Sequence, residues 1–217
     1  MFSSDDPPRF GTAREGWPYV AGLALAALPL ARLHRAAGIA ALASAAGVAA
    51  FFRDPVRPWP TDPTLLFAPA DGFVIGVDRL ESGWHVGAPA HRISIFLSLF
   101  DVHVNRSPVA GTIVDARDLG SGFFPAMDFR RSHENRRREI AFDTEHGPVV
   151  VVQIAGLLAR RIVPWVAPGE VVAAGQKLGM ITFGSRTDLI VPETAARPLV
   201  ETGRRVVGGQ TPVAAWR

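Results

Sequence analysis

The chain has no cysteine, one lysine (Lys177) and one tyrosine (Tyr19). Without cysteine there are no disulfides, no thiolate-ligated zinc, no iron–sulfur cluster and no thiol catalysis. That absence says nothing about compartment. With one lysine, positive charge is carried almost wholly by arginine, and the formal net charge is +3 with a pI near 10.4. Such a balance suits an anionic surface, either phospholipid headgroups or nucleic acid. No nucleic-acid motif accompanies it, and the one dense run, Arg136–Arg138, reads as a solvated loop. Metal-ligand spacing is also lacking, since His85 and His91 have no acidic partners at ligating intervals. The segment before the first apolar run is acidic, so it lacks the positive start of a secretory signal.

The chain is 217 residues long, 48% hydrophobic, with 21 glycines and 18 prolines. That supports one packed domain with an appendage, rich in turns and short strands. Residues 1–16 are polar and proline-containing and are expected to be mobile. Two uncharged, alanine-rich runs follow, Tyr19–Ala31 and Ala36–Phe52, separated by Arg32, His34 and Arg35. Alanine and leucine favour helix. The longer run makes about 26 Å of helix, at the lower limit for a bilayer core, and the shorter is too short to cross alone. If both crossed, basic residues would lie on both sides, against the positive-inside preference. The expectation is a helical hairpin over residues 17–52 lodged in one leaflet, flanked by Trp17, Tyr19, Phe51, Phe52 and Trp59. A buried soluble hairpin is the alternative. Pro55, Pro58, Pro60 and Pro63 mark a stiff linker over residues 53–64.

From Leu65 to the end the pattern turns to strands: 65–67, 73–77, 93–97, 111–114, 139–142 and 149–154. Two segments, Ala68–Val74 and Ala167–Val172, each feed a Pro/Gly turn into a β-branched strand, as lipoyl-type and hybrid-motif domains do. The fold expected for residues 65–217 is mainly β, an antiparallel sandwich or flattened barrel with those features, with residues 193–217 along a sheet edge.

Three places can carry chemistry. Gly184-Ser185 sits between the apolar runs Leu178–Phe183 and Leu189–Val191, where a sheet holds the backbone firmly. A turn is the ordinary reading of Gly-Ser. Held in this way, the Ser185 hydroxyl can attack the Gly184 carbonyl if a base is near. The amide then becomes an ester, elimination breaks the chain, and hydrolysis leaves a pyruvoyl ketone. His103 follows the most apolar strand, and alternation puts Asp101, His103 and Asn105 on one face. Its ordinary reading is a histidine satisfied within the fold. Asp71, in Pro69-Ala70-Asp71-Gly72, is ordinarily a turn residue. Arg106 could pair with a substrate phosphate, but its ordinary reading is an exposed arginine that does not.

The segments Pro69–Gly72, Phe100–Pro108 and Phe183–Asp188, in this order, resemble the phosphatidylserine decarboxylases in their short bacterial and archaeal form. His133–Arg136 and Phe142–Pro148 also match, read as structural or substrate-facing. The resemblance spans roughly residues 50–192. It implies a proenzyme in which Ser185 is the nucleophile, His103 the base and Asp71 the third member of a self-processing triad. Longer relatives carry a second histidine near the position of Asp101; this chain does not, so that role is not transferred. Cleavage between Gly184 and Ser185 then yields a β chain of residues 1–184 and an α chain of residues 185–217 headed by a pyruvoyl group. The substrate amine condenses with the ketone as a Schiff base, carboxylate leaves as CO2, and phosphatidylethanolamine is released. No metal and no added cofactor are implied. The implied partners are phosphatidylserine, the cytoplasmic face of the cell membrane in peripheral or monotopic association, and the two chains of one precursor, open to higher oligomers. Nucleic acid is not among them. The rival reading is a non-enzymatic, membrane-tethered lipoyl- or hybrid-motif-like domain, for which Lys177 is the sole swinging-arm residue.

Overall fold

The computed structural model describes residues 11–87, 89–157, 161–182 and 185–217, so most of the expected mobile terminus and Gly184 lie outside the described residues. The chain divides into two compact units, Met1–Val56 and Arg57–Arg217.

The first unit is a helix pair, α1 (Trp17–Leu33) and α2 (Arg35–Phe51). Pro18 occupies the first turn of α1, where an N–H has no intrahelical partner to lose. His34 breaks the run by turning extended, at φ −155° and ψ 117°. This is where the sequence puts its basic interruption. Small residues let the helices close on each other: a Cβ on Gly38 would lie 2.4 Å from that of Ala31. The faces turned away are apolar, with Leu25, Leu28, Leu33 and Ile39 all exposed. Among the described residues, no helix is long and apolar enough to cross a membrane. Two short strands, β1 (Gly11–Thr12) and β2 (Arg53–Asp54), pair antiparallel and bring the ends of the unit together.

The second unit is mainly β. Its strands are β3 (Leu65–Phe67), β4 (Gly72–Leu80), β5 (Ala90–Leu97), β6 (Val104–Arg106), β7 (Gly111–Leu119), β8 (Arg137–Thr144) and β9 (Gly147–Ile154). There follow β10 (Ile162–Pro164), β11 (Val171–Val172), β12 (Lys177–Ile181), β13 (Ser185–Pro192), β14 (Ala196–Pro198), β15 (Arg205–Val206) and β16 (Pro212–Trp216). Eight strands form one sheet in the order β11-β7-β8-β9-β13-β5-β4-β15; β10-β12-β6 and β14-β16-β3 form two smaller sheets. All of these pairings are antiparallel.

Alternation decides the core. Ile93, Ile95 and Leu97 of β5, Val149 and Val151 of β9, and Leu189 and Val191 of β13 share one face. They pack with Leu66, Val213 and Ala214 of the β14-β16-β3 sheet and with Leu178 of β12. The opposite face carries Val150, Val152 and Ile154 with Trp84 and Ile190. Residues 193–217 do more than line an edge. Only β15 does that, against β4, while β14 and β16 supply two strands of a separate sheet.

Candidate active site

Ser185 opens β13, directly opposite Leu97 of β5. Positions 185 and 187 share the inner face with Leu189 and Val191, so the hydroxyl is fully buried at the polar end of the core. Its Oγ has no hydrogen-bond partner among the described residues. Arg186 points to the other face and is buried there. Its Nη1 donates to Ser132 Oγ at 2.8 Å and to the Ala126 carbonyl at 3.0 Å. Its Nε lies 2.9 Å from Asp188 Oδ1, and its guanidinium stacks 4.6 Å from the centre of the Phe129 ring. The residue after Ser185 is thus fixed on four sides.

His103 lies just before β6. Its carbonyl accepts the Ile181 N–H at 3.2 Å, which sets it beside the end of β12, shortly before Ser185 in the chain. Its Nδ1 lies 2.9 Å from the Asp101 carbonyl. A carbonyl oxygen only accepts, so Nδ1 carries the proton and the lone pair of the neutral ring is on Nε2. Asp101 belongs to a turn, a departure from the simple alternation expected for 101–105. Its Oδ2 accepts from the Ser98 N–H at 2.9 Å and the Ser98 hydroxyl at 2.6 Å, and this local cap bends the chain out of β5. Oδ1 accepts from Arg205 Nη2 at 2.8 Å. The imidazole is therefore held by the backbone of a residue whose own side chain is locked.

Asp71 sits between β3 and β4. The Gly72 that follows is at φ 148°, and a Cβ there would fall 2.0 Å from the Phe96 carbonyl oxygen, so this turn admits only glycine. The two Asp71 oxygens accept from Arg57 Nη1 and Nη2 at 2.6 and 2.8 Å, and Oδ1 also accepts the Gly208 N–H at 2.8 Å. In this structure the carboxylate is committed to Arg57 and Gly208, and the ring of His103 is oriented by Asp101 instead.

Other polar groups gather at the same end. Asn105 of β6 accepts from Gln153 Nε2 of β9 at 2.7 Å and from Thr187 Oγ1 at 3.4 Å. Arg106, read from sequence as exposed, is buried, with Nη1 donating to the Gly175 carbonyl at 3.1 Å. Asn135 is structural: it exchanges two hydrogen bonds with the Phe124 backbone and donates to the Ala155 carbonyl. Sequence reasoning missed Arg57 and Arg186. Arg57 was one arginine of a proline-rich linker and Arg186 only a member of the Phe183–Asp188 segment, because their partners are remote in sequence or hidden by the fold. Among the described residues, no three His, Asp or Glu side chains cluster as a metal site.

A family model for phosphatidylserine decarboxylase matches residues 45–214. The phosphatidylserine decarboxylase proenzyme of Symbiobacterium thermophilum is 44% identical over 200 residues, covering 92% of this chain and 93% of its own. That of Carboxydothermus hydrogenoformans is 40% identical over 198 residues, covering 91% and 93%. The chain belongs to the phosphatidylserine decarboxylase family.

Proposed function

We propose that the chain is a proenzyme that cuts itself between Gly184 and Ser185 and then, as a carboxy-lyase, converts phosphatidylserine to phosphatidylethanolamine and CO2. The observation that carries this reading is the buried Ser185 hydroxyl, without a partner among the described residues, at the head of a strand and directly after a glycine. His103 takes its proton on Nε2, the nitrogen left basic by the Asp101 contact. Asp71 is the third member. Arg57 and Gly208 hold its carboxylate, and a direct bond from His103 Nδ1 to it requires that proton to leave the Asp101 carbonyl. A pyruvoyl group at the head of the small chain supplies an electron sink for an amine-bearing substrate. The Arg186 clamp keeps that new chain end in place once the peptide bond has gone.

The two chains, 1–184 and 185–217, stay together because β13 lies between β9 and β5 in the large sheet. We divide the precursor into a mobile start (1–16), a membrane-associating hairpin (17–52), a linker (53–64) and a catalytic β-domain (65–217). The exposed apolar faces of α1 and α2 support peripheral or monotopic attachment to the cytoplasmic face of the cell membrane, where the substrate resides. Positive φ at Gly72 and Gly169 supports the hybrid-motif-like character of the two Pro/Gly turns. Lys177 does not suit a carrier arm, since it opens β12 opposite Arg106 and not at a hairpin tip. Ser185→Ala tests the proposal: it should remain one chain without decarboxylase activity, and a cleaved Ser185→Ala protein would refute it.

A further inference from the structure

β13 lies between β5 and β9, and both neighbours run antiparallel to it, so their last residues lie at its Ser185 end. Leu97 faces Ser185, and Ile154 faces Arg186. The chain runs on past that end from both strands. After Leu97 comes the turn Ser98–Asp101, closed by the Asp101 N–H donating to the Ser98 carbonyl at 3.0 Å. Its tip residues are Leu99, 45% exposed, and Phe100, 87% exposed. After Ile154 the chain reaches Leu157, 57% exposed. Two apolar prongs thus extend from the strands on either side of the one that Ser185 opens. Leu99 is two residues beyond the partner of Ser185, so the two Cα atoms are at most about 13 Å apart.

Exposed charge at this end is positive. Arg205 faces Phe73, Phe73 faces Phe96, and Phe96 faces Arg186, so Arg205 lies in the row of the sheet next to Ser185. Its side chain is largely exposed although it holds Asp101. Arg161 is also exposed, and its carbonyl accepts the Thr182 N–H at 3.1 Å, three residues before Ser185. Asp101, the carboxylate among these groups, is buried. Large apolar side chains at the tips of turns, rimmed by arginine, fit a phospholipid surface: the apolar groups reach below the headgroups and the guanidinium groups meet the phosphates. The chain belongs to a family named for a phospholipid substrate, and a buried Ser185 needs that headgroup brought to the end of the sheet where it lies.

We infer that this end of the β-unit docks on an anionic bilayer, with Leu99, Phe100 and Leu157 inserted and Arg161 and Arg205 at the lipid phosphates, and so turns the Ser185 site towards the membrane. The inference rests on the proposed function and adds a surface separate from the helix pair. Three such side chains bury about as much apolar surface as one acyl chain, which alone binds a membrane only reversibly. The contact therefore orients the site, and attachment is left to the helices.

The chain has no cysteine, so one introduced cysteine takes one label. Full-length Phe100→Cys, Leu157→Cys and, as control, Glu145→Cys each carry an environment-sensitive fluorophore. Each is mixed with vesicles of phosphatidylserine and phosphatidylcholine that include lipid brominated in its acyl chains. Glu145 is exposed in the turn between β8 and β9, at the other end of the sheet. The labels at 100 and 157 should shift to the blue and be quenched, and the label at 145 should do neither. Absence of quenching at 100 and 157 overturns the inference, as does equal quenching at all three positions. A blue shift without vesicles that grows with protein concentration assigns the surface to a second copy and also overturns it. Leu99→Ser/Phe100→Ser should self-cleave with the wild-type half-time and lose about tenfold or more of its activity on phosphatidylserine in vesicles. Its activity on a short-chain phosphatidylserine, kept below the concentration at which micelles form, should be unchanged. Equal losses on both substrates assign the two residues to the headgroup site and overturn the inference. If the double variant fails to cleave, the quenching at 100 and 157 decides. A wild type inactive on both substrates would instead remove the proposed function, and the quenching would still decide the docking.

Discussion

His103 Nδ1 donates to the carbonyl of Asp101 across 2.9 Å, and that single contact decides which ring nitrogen is basic. His103→Asn keeps a donor for Asp101 and removes the base. Self-cleavage should slow by about 10²- to 10⁴-fold, read as the half-time of precursor loss. His103 is fully buried, so His103→Ala also opens a cavity. The asparagine variant is therefore the cleaner measurement, and wild-type cleavage by it would remove His103 from the mechanism.

Arg205 Nη2 donates to Asp101 Oδ1 at 2.8 Å, a bond that the proposed cleavage after Gly184 would leave joining the small chain to the large one. The Arg205 side chain is 57% exposed, so solvent screens the pair. Arg205→Ala should slow cleavage by less than about tenfold, an effect of roughly 1 kcal/mol or below. Asp101→Ala, which also loses both Ser98 contacts, should slow it more. Equal half-times for the two variants would show that the Ser98 cap does not position His103.

The Arg57–Asp71 pair is nearly enclosed, with side chains 9% and 12% exposed. Arg57→Ala strands a carboxylate and should cost about 3–5 kcal/mol in denaturant unfolding of the Ser185→Ala precursor. Replacing both partners by leucine should recover most of that stability without recovering cleavage, measured in the protein that retains Ser185. Recovery of cleavage would take Asp71 out of the self-processing reaction.

Much of this was legible from the residues. The apolar runs at 73–77, 93–97 and 149–154 located β4, β5 and β9; the last is unbroken because both of its faces are covered. The basic break between the apolar runs located the end of α1, since His34 turns extended there. The grip of Arg57 on Asp71 was not legible, because nothing local distinguishes one arginine of a proline-rich linker from another. Asp101 misled for a related reason: its carboxylate prefers the Ser98 N–H and hydroxyl to a place in a strand, and alternation does not register that competition. Arg106 read as an exposed arginine, and Arg186 carried no role of its own, because burial of an arginine depends on carbonyls and rings supplied by distant loops.

The helix pair should hold the full-length protein on membranes. Removal of residues 1–52 should move the β-unit to the soluble fraction after sedimentation with vesicles containing phosphatidylserine. A full-length protein that stays wholly in solution without detergent would contradict membrane association.

The intact mass of the purified wild-type protein tests the central claim most directly. The account predicts two species, one ending at Gly184 and one spanning residues 185–217. The smaller should be lighter by one ammonia than a serine-headed fragment and blocked to Edman degradation. A single uncleaved species of 23.3 kDa that still decarboxylates phosphatidylserine would contradict it.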